Sequence, residues 1–381
     1  MYKNQISTII STYTADVMGV ATALYELGGM TVMHDASGCN STYNTHDEPR
    51  WYDIDSMVYI SALTETEAIM GDDEKLINDI ASASKELRPE FIAVAGTPVP
   101  MMTGTDLKAV ARIIEKLTGI PSFGFQTNGM HSYIDGASDA FFELAQRFVN
   151  PVTEKTYGLS VNILGLTPLD FSINSTVNSI KNVLRQNDIQ IVSSWAMGSN
   201  LSDIKNSAAA HVNLVVSQCG MKAAMHLNEK FDIPYVVGVP VGKKMSEEII
   251  NSIKKAAEQN RNIISVKKRS AKNADVAIIG EGVFGTSLAK AVQLETGKSA
   301  RVICPLTAEN FLITDGDSRA FCENDIKEEL ENIKYVIADP LYKTVCPEAS
   351  KFLSLPHEAF SGRLFRKKIP DLVTGIDFSV F

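Results

Sequence analysis

The 381-residue chain lacks most of the signatures that assign an activity from a single stretch. It holds no G-x-x-x-x-G-K-[ST], so nucleotide hydrolysis through a P-loop is not expected of it. H-E-x-x-H, C-x-x-C and G-x-S-x-G are also missing, which argues against zinc-hydrolase, thioredoxin and serine-hydrolase chemistry. Basic residues are in the minority, 36 Lys and Arg against 45 Asp and Glu, for a net charge of -9. That balance excludes the cationic face a nucleic-acid partner needs. No apolar run reaches membrane-spanning length, and MYKNQISTII has no signal-peptide core, so a soluble cytoplasmic protein is expected. Cysteine is scarce and odd in number: the five residues Cys39, Cys219, Cys304, Cys322 and Cys346 are scattered, unlike a disulfide framework. Each is therefore expected to be a buried thiol or a metal ligand. Repeats and low-complexity segments are absent as well.

What is present is an alternation of short β-branched runs with amphipathic helices, the pattern of parallel α/β sheets. Apolar runs predict strands at Met30 to Met33, Phe91 to Ala95 and Ser122 to Gln126 in a first unit. They recur at Ser160 to Leu164, Gln190 to Ser194, Val212 to Val216 and Tyr235 to Val239 in a second. A third unit has Asp275 to Ile279, Ala300 to Ile303, Tyr335 to Ala338 and Phe352 to Leu355. Helices are expected from Asp16 to Leu27, after Gly71 through Leu87, after the Thr105-Asp106 cap, and from Ser246 to Gln259. Asp72-Asp73 and Glu247-Glu248 read as helix-terminal charges favoured by the macrodipole. The basic stretch Lys267-Lys268-Arg269 with Lys272 reads as a solvated linker. The fold class is thus α/β: three domains, over residues 1–150, 151–268 and 269–381, each a mainly parallel sheet flanked by helices around a central cleft.

Candidate chemistry gathers at strand ends, where open parallel sheets bind ligands. Cys39 follows the first strand in HDASGC, and Gly38 beside it admits a sharp turn or a bulky neighbour. Asn40, Ser41, Thr42, Asn44 and Thr45 continue that loop as polar groups. Cys219 follows the strand Val212 to Val216, and His357 follows a short apolar run near the end. Taken singly, each is more often an ordinary loop or core residue than a ligand. Gly280-Glu281-Gly282-Val283-Phe284-Gly285 matches G-x-G-x-x-G after a strand. The next strand ends Val302-Ile303-Cys304-Pro305, with no acid for a ribose hydroxyl. A tight strand-to-helix turn, beside some other cofactor, fits this stretch better than dinucleotide binding. Cys304, Cys322 and Cys346 carry no supporting context.

Several stretches together resemble nitrogenase component 1 and its relatives, which include dark-operative protochlorophyllide reductases and nickel-tetrapyrrole reductases. VMHDASGC is similar to that family's H-G-P-x-G-C loop: His34, Gly38 and Cys39 match, while Asp35-Ala36 depart. AIMGDDEKLINDI, AGTPVPMMTGTDLKAVARIIEKLTGIPSFGFQTNGM, VNLVVSQCGMKAAMHLNEKFDIPYVVGVPVG and LPHEAFSGR resemble further segments in the family's order. The resemblance implies three Rossmann-like domains around a cleft. It also implies an iron–sulfur cluster, of the 4Fe-4S type, at an interface with a homologous component 1-like subunit. Electrons would come from a separate P-loop iron-protein reductase. By this resemblance Cys39 is the metal ligand, and Cys219, His357 and Gly282 are cofactor-binding candidates for a second metallocofactor or tetrapyrrole in the cleft.

The departures limit what carries over. Of three cluster cysteines expected per subunit only Cys39 has a match; Tyr13 and Thr97 stand near the other two positions. Asp135 and Asp139 replace the glutamine and histidine of the dinitrogen site, so dinitrogen is not the expected substrate. Two functions follow: a nitrogenase-like oxidoreductase subunit, or a non-catalytic carrier of a cluster or tetrapyrrole on the same scaffold. Catalytic residues are not assigned. A hetero-oligomer with a cysteine-richer homologue is favoured over a homodimer, because one thiol per chain does not complete a four-iron cube.

Overall fold

The structure, a computed structural model, describes residues 9–39, 48–151, 154–267, 269 and 271–381. The polar stretch Asn40 to Thr45 and Lys268 lie outside the described residues. Three parallel sheets carry the fold. The first holds β1 (Met30–His34), β2 (Met57–Ile60), β3 (Ile92–Gly96) and β4 (Ser122–Phe125) in the order β2-β1-β3-β4. Its helices are α1 (Asp16–Leu24), α2 (Glu65–Met70), α3 (Glu74–Leu87), α4 (Pro98–Thr103), α5 (Leu107–Thr118) and α6 (Tyr133–Phe148).

The second sheet comprises β5 (Ser160–Leu164), β6 (Gln190–Ser194), β7 (Val212–Val215), β8 (Tyr235–Val237) and β9 (Ile263–Ile264), ordered β6-β5-β7-β8-β9. Around it lie α7 (Pro168–Phe171), α8 (Thr176–Arg185), α9 (Leu201–Lys205), α10 (Met221–Phe231) and α11 (Gly242–Gln259). In the third, β10 (Val276–Ile279), β11 (Ala300–Cys304), β12 (Ser318–Arg319), β13 (Tyr335–Ala338) and β14 (Lys351–Ser354) run β12-β11-β10-β13-β14. It is flanked by α12 (Gly282–Thr296), α13 (Glu323–Glu329) and α14 (Glu358–Ser361).

Local chemistry accounts for these elements. β3 is buried along its whole length, as a near-continuous apolar strand covered on both faces must be, and β5 is equally buried although it carries Ser160 and Asn162. Asp106 caps α5 by accepting the Ala109 N–H, and Gly119 closes it in the left-handed region. One apolar core runs through all three units, from Val17 and Phe141 through Val215 and Cys219 to Val302 and Ile337. Within the first unit α1 crosses α6, and α6 also packs against α10 of the second unit. At the α1–α6 crossing Gly19 lies against the Tyr133 carbonyl and Gly136 against that of Asp16, so a methyl at either glycine would overlap backbone.

Two sequence expectations change. Arg269 is not solvated: it is buried and ion-paired with Asp317, whose carboxylate also accepts the Val302 and Thr314 N–H groups. The α11 helix begins at Gly242, four residues before the expected start, so Glu247 and Glu248 sit in its second turn rather than at its terminus.

Candidate functional site at the convergence of three strand ends

All three sheets repeat one arrangement: the first strand of the unit lies between the second and a later one, the third in the first two units and the fourth, β13, in the last. The chain leaves the first strand and that later neighbour in opposite directions, which opens a crevice at their carboxyl ends. In the second unit that crevice lies between β5, followed by Thr167 and α7, and β7, followed by the tight turn Gln218–Gly220. In the third unit it lies between β10, followed by Glu281, and β13, followed by Asp339. The two crevices face one another, and the first unit adds Tyr133, the first residue of α6.

The convergence is centred on Asp170. Thr167 caps α7, and with Pro168 at the first helical position it fixes the turn that brings Asp170 inward. The Tyr133 hydroxyl donates to Asp170 Oδ1 at 2.5 Å, and the Thr167 hydroxyl to Oδ2 at 2.9 Å. Cys219 Sγ lies 3.8 Å from Oδ2. His357 Nε2 is 3.6 Å from Oδ1, an ion-pair separation when the ring is protonated but longer than a hydrogen bond. His357 is held by its backbone N–H, which donates to Asp339 Oδ2 at 2.8 Å, and the Tyr13 ring meets it edge-on at 5.8 Å. Its Nδ1 is buried and has no hydrogen-bond partner among the described residues.

The structure thus brings two of the sequence candidates, Cys219 and His357, to one carboxylate. Gly282 serves a different purpose: a Cβ there would meet Ala308 Cβ at 2.9 Å, so its lack of a side chain lets α12 pack against the 308–312 segment. The anion-binding end of α12 is already filled. Glu281 accepts the N–H groups of Val283, Phe284 and Gln218 at 3.0, 2.7 and 2.8 Å. A carboxylate supplied by the chain occupies the place a dinucleotide phosphate would take.

Burial sets the protonation of this cluster. Removal from water, reinforced by the Asp170 charge, pushes the Cys219 thiol and the Tyr133 hydroxyl well above their ordinary values, so both keep their protons at neutral pH. Burial, then Asp170, raises the Glu281 carboxyl to about 7 against the pull of its three N–H donors. The space between Asp170, His357, Tyr13 and Asp339 is about 20 Å³, room for about one water and not for a cluster or a tetrapyrrole. The residues therefore do not fit a metallocofactor at this place. They fit a closed, proton-holding contact between three units.

Glu281 has a consequence for stability. A folded pKa near 7 against an ordinary 4.5 means that the folded chain holds a proton which the unfolded chain releases. Its stabilising effect is complete below about pH 4.5 and is lost as pH rises through 7, a decline of about 3 kcal/mol. Urea midpoints recorded between pH 5 and 8 should fall with pH in the wild type and flatten in Glu281→Gln. Equal slopes in the two proteins would remove Glu281 as the source.

The remaining candidates lie elsewhere. Cys39 is exposed beyond the carboxyl end of β1, its N–H donating to the Ala36 carbonyl at 3.1 Å. Thr97, at the matching end of β3, is buried and donates to the His34 carbonyl at 2.9 Å. Tyr13 packs on Phe360, 4.5 Å between ring centroids, and its hydroxyl lies 3.3 Å from that of Tyr342. Burial raises the Tyr13 pKa well above its ordinary value, which disfavours a phenolate ligand. Asp135 and Asp139 line a separate cavity of about 420 Å³ with His131 and Glu143, where Lys222 pairs with Asp139 at 2.5 Å. Among the described residues no group of three or more His, Cys, Asp or Glu side chains could hold a metal ion. No helix among them is long and apolar enough to cross a membrane.

Sequence reasoning missed Asp170, Tyr133 and Glu281. The first had a signal, since Thr167-Pro168 directly after a strand marks a capped helix start at a strand's carboxyl end. Tyr133 had none.

Comparison with known proteins extends these observations. The family pattern described as "Nitrogenase component 1 type Oxidoreductase" matches residues 16–300, well over half of the chain. The nitrogenase molybdenum-iron protein beta chain of Methanothermobacter thermautotrophicus is 23% identical over 258 residues, 60% of this chain and 55% of that protein. One subunit of the light-independent protochlorophyllide reductase from Pinus thunbergii is 26% identical over 197 residues, 49% of this chain and 38% of its own length. The chain thus spans about half or less of these curated relatives. A solved structure described as "Nitrogenase Cp1 at pH 6.5" superposes with a TM-score of 0.69 and 17% identity, covering 96% of this chain and 89% of that one. It has the same fold.

Proposed function

The chain belongs to the nitrogenase component 1 type oxidoreductases, and on that premise we propose that it is the electron-relaying subunit of a nitrogenase-like enzyme. In this reading it takes low-potential electrons from a separate P-loop iron–sulfur reductase. It passes them, through an iron–sulfur cluster shared with a homologous subunit, to a substrate other than dinitrogen. The observation that carries the proposal is the position of Cys39: an exposed thiol at the carboxyl end of β1, beside the crevice between β1 and β3. Exposure leaves its sulfur open to a ligand sphere completed from another chain. The closed interior around Asp170, with room for about one water, supports placing the reduced substrate in the partner's cleft. It speaks equally against a tetrapyrrole carried inside this chain.

A four-iron cluster bound at Cys39 would supply one-electron storage, and thiolate is its customary ligand. One thiol per chain requires the homologous subunit to contribute the rest, which supports a hetero-oligomer. What this chain's own residues do is narrower. Thr97 and His34 tie β3 to β1 beneath the Cys39 loop, and the His34 ring is fixed by Ser61 at 2.8 Å.

Co-expression with the homologous subunit under anaerobic conditions tests the reading. The complex should contain iron and show broad charge-transfer absorbance, and Cys39→Ala should lose most of both while its melting temperature is unchanged. Iron content unaffected by Cys39→Ala would overturn the assignment.

A further inference from the structure

Residues 371–381 are fastened to two units. Asp371 accepts the hydroxyls of Ser175 and Ser179, at the start of α8, at 2.7 and 2.5 Å. Farther on, Lys351 donates to the Val380 carbonyl at 3.1 Å, and the Phe381 ring meets Tyr335 at 5.6 Å. Between these attachments the segment borders a cavity of about 300 Å³ against the third sheet.

Strand period and register make the wall of this cavity apolar. Ile337 of β13 and Leu353 of β14 are register partners, so their side chains stand side by side on one face of the sheet. Leu355 is two residues beyond Leu353 and continues that row. Leu288 of α12 and Ile376 of the crossing segment close the other sides. Leu355 also lines the small space beside Asp170, so a molecule bound in the cavity touches the segment that carries His357.

The charged groups of this cavity are exposed and mark its mouth: one cation, Lys368, and one anion, Asp377. Each is positioned by a neighbour of its own. Lys368 Nζ lies 5.5 Å from the centre of the Phe365 ring. Asp377 Oδ1 accepts the Ser379 hydroxyl at 2.6 Å and its N–H at 2.9 Å. Those bonds hold the Asp377 carboxyl below its ordinary range, so it is ionised at neutral pH. Neither group pairs with the other or with a further charge among the described residues.

Two opposite charges that do not neutralise each other select what enters the apolar space behind them. An apolar acid would meet Lys368 but face the Asp377 charge, and an apolar amine would face the Lys368 charge; each carries a like-charge penalty. A molecule with both an ammonium and a carboxylate on an apolar body answers both. The volume is at the lower end for small-molecule sites, which favours one amino acid over a peptide or a nucleotide.

We propose that this cavity binds a free apolar α-amino acid. Its carboxylate meets Lys368, its ammonium meets Asp377, and its side chain fills the space between Leu288, Ile337 and Leu353. The site is independent of Cys39 and of any cluster there.

Isothermal titration calorimetry on the purified full chain tests this, with L-leucine, L-methionine and L-phenylalanine as probes. At least one should bind with a dissociation constant of roughly 1 mM or tighter. Glycine, which has the charges but no apolar side chain, should bind at least about tenfold more weakly. Two analogues of the tightest probe, one without the amino group and one with an amide for the carboxylate, should each lose about fivefold. Lys368→Met should abolish the difference between probe and amide, and Asp377→Asn that between probe and des-amino acid. Both positions are exposed, so the melting temperatures of these variants should match the wild type. Failure of all three amino acids to bind would overturn the site. Equal binding of the probe and its des-amino analogue by the wild type would make this a site for apolar acids and overturn the amino-acid assignment. Binding that neither variant changes would place the ligand elsewhere and overturn the proposal as well.

Discussion

Arg50→Ala is expected to destabilise the chain by about 3–5 kcal/mol, a large share of the roughly 5–15 kcal/mol that holds a folded domain together. Arg50 is buried, and its guanidinium is satisfied on every side. Nε donates to Glu48 Oε1 at 2.7 Å, Nη1 to Glu26 Oε1 at 3.0 Å and to the Ala196 carbonyl at 2.9 Å, and Nη2 to the Thr22 carbonyl at 2.8 Å. The Tyr25 ring covers it at 4.6 Å. These contacts join α1, the segment before β2 and the loop after β6, so one side chain fastens the first unit to the second. Truncation would leave Glu48, itself buried, without its counter-charge. Arg50→Lys should recover little, because an ammonium cannot reproduce the planar fork. Adding Glu48→Gln to Arg50→Met should recover a substantial part, since no lone charge then remains inside. Urea unfolding monitored by circular dichroism measures all four proteins, and a loss below about 1 kcal/mol for Arg50→Ala would show that the contacts are not coupled.

Asp170→Ala is expected to cost about 2–4 kcal/mol, the sum of two orphaned buried donors less relaxation. The Tyr133 and Thr167 hydroxyls both give their protons to this carboxylate, and both residues are fully buried. The same variant widens a cavity that now admits about one water. Asp170→Asn separates charge from shape. It keeps an acceptor for one hydroxyl but removes the negative charge that helps to raise the Glu281 carboxyl. The decline of stability with rising pH should therefore become shallower in Asp170→Asn, through a residue that is not itself the titrating group. An undiminished pH slope would show that desolvation alone sets the Glu281 value. In the pair Tyr133→Phe and Asp170→Ala, the double variant should lose less than the two single losses added, as expected for partners in one hydrogen bond.

The architecture was legible because it is written locally. Strands at Ser160 to Leu164, Gln190 to Ser194 and Tyr335 to Ala338 are found where the β-branched runs placed them. The Asp106 cap and the Gly119 stop of α5 have their expected geometry. These signals depend on side-chain periodicity and on backbone groups a few residues apart, so the sequence alone contains them. Strands β2, β9 and β12 were not legible, being two to four residues long with no period to read. Burial of Arg269 was hidden too, because its partner Asp317 comes from a distant loop.

The family was likewise determined by sequence, through short motifs kept in order along residues 16–300. Only the tertiary structure decided which chemistry-bearing residues meet. Cys219, His357 and Tyr133 lie in separate units and reach Asp170 only because parallel sheets send all their strand ends to one edge and the crevices of two sheets face each other. Tertiary structure also decided that Glu281, an unremarked position inside a glycine motif, fills the end of α12. The physical reason is one of distance along the chain: caps and periods act within a turn, whereas desolvation and charge pairing depend on whatever the fold brings within a few ångströms.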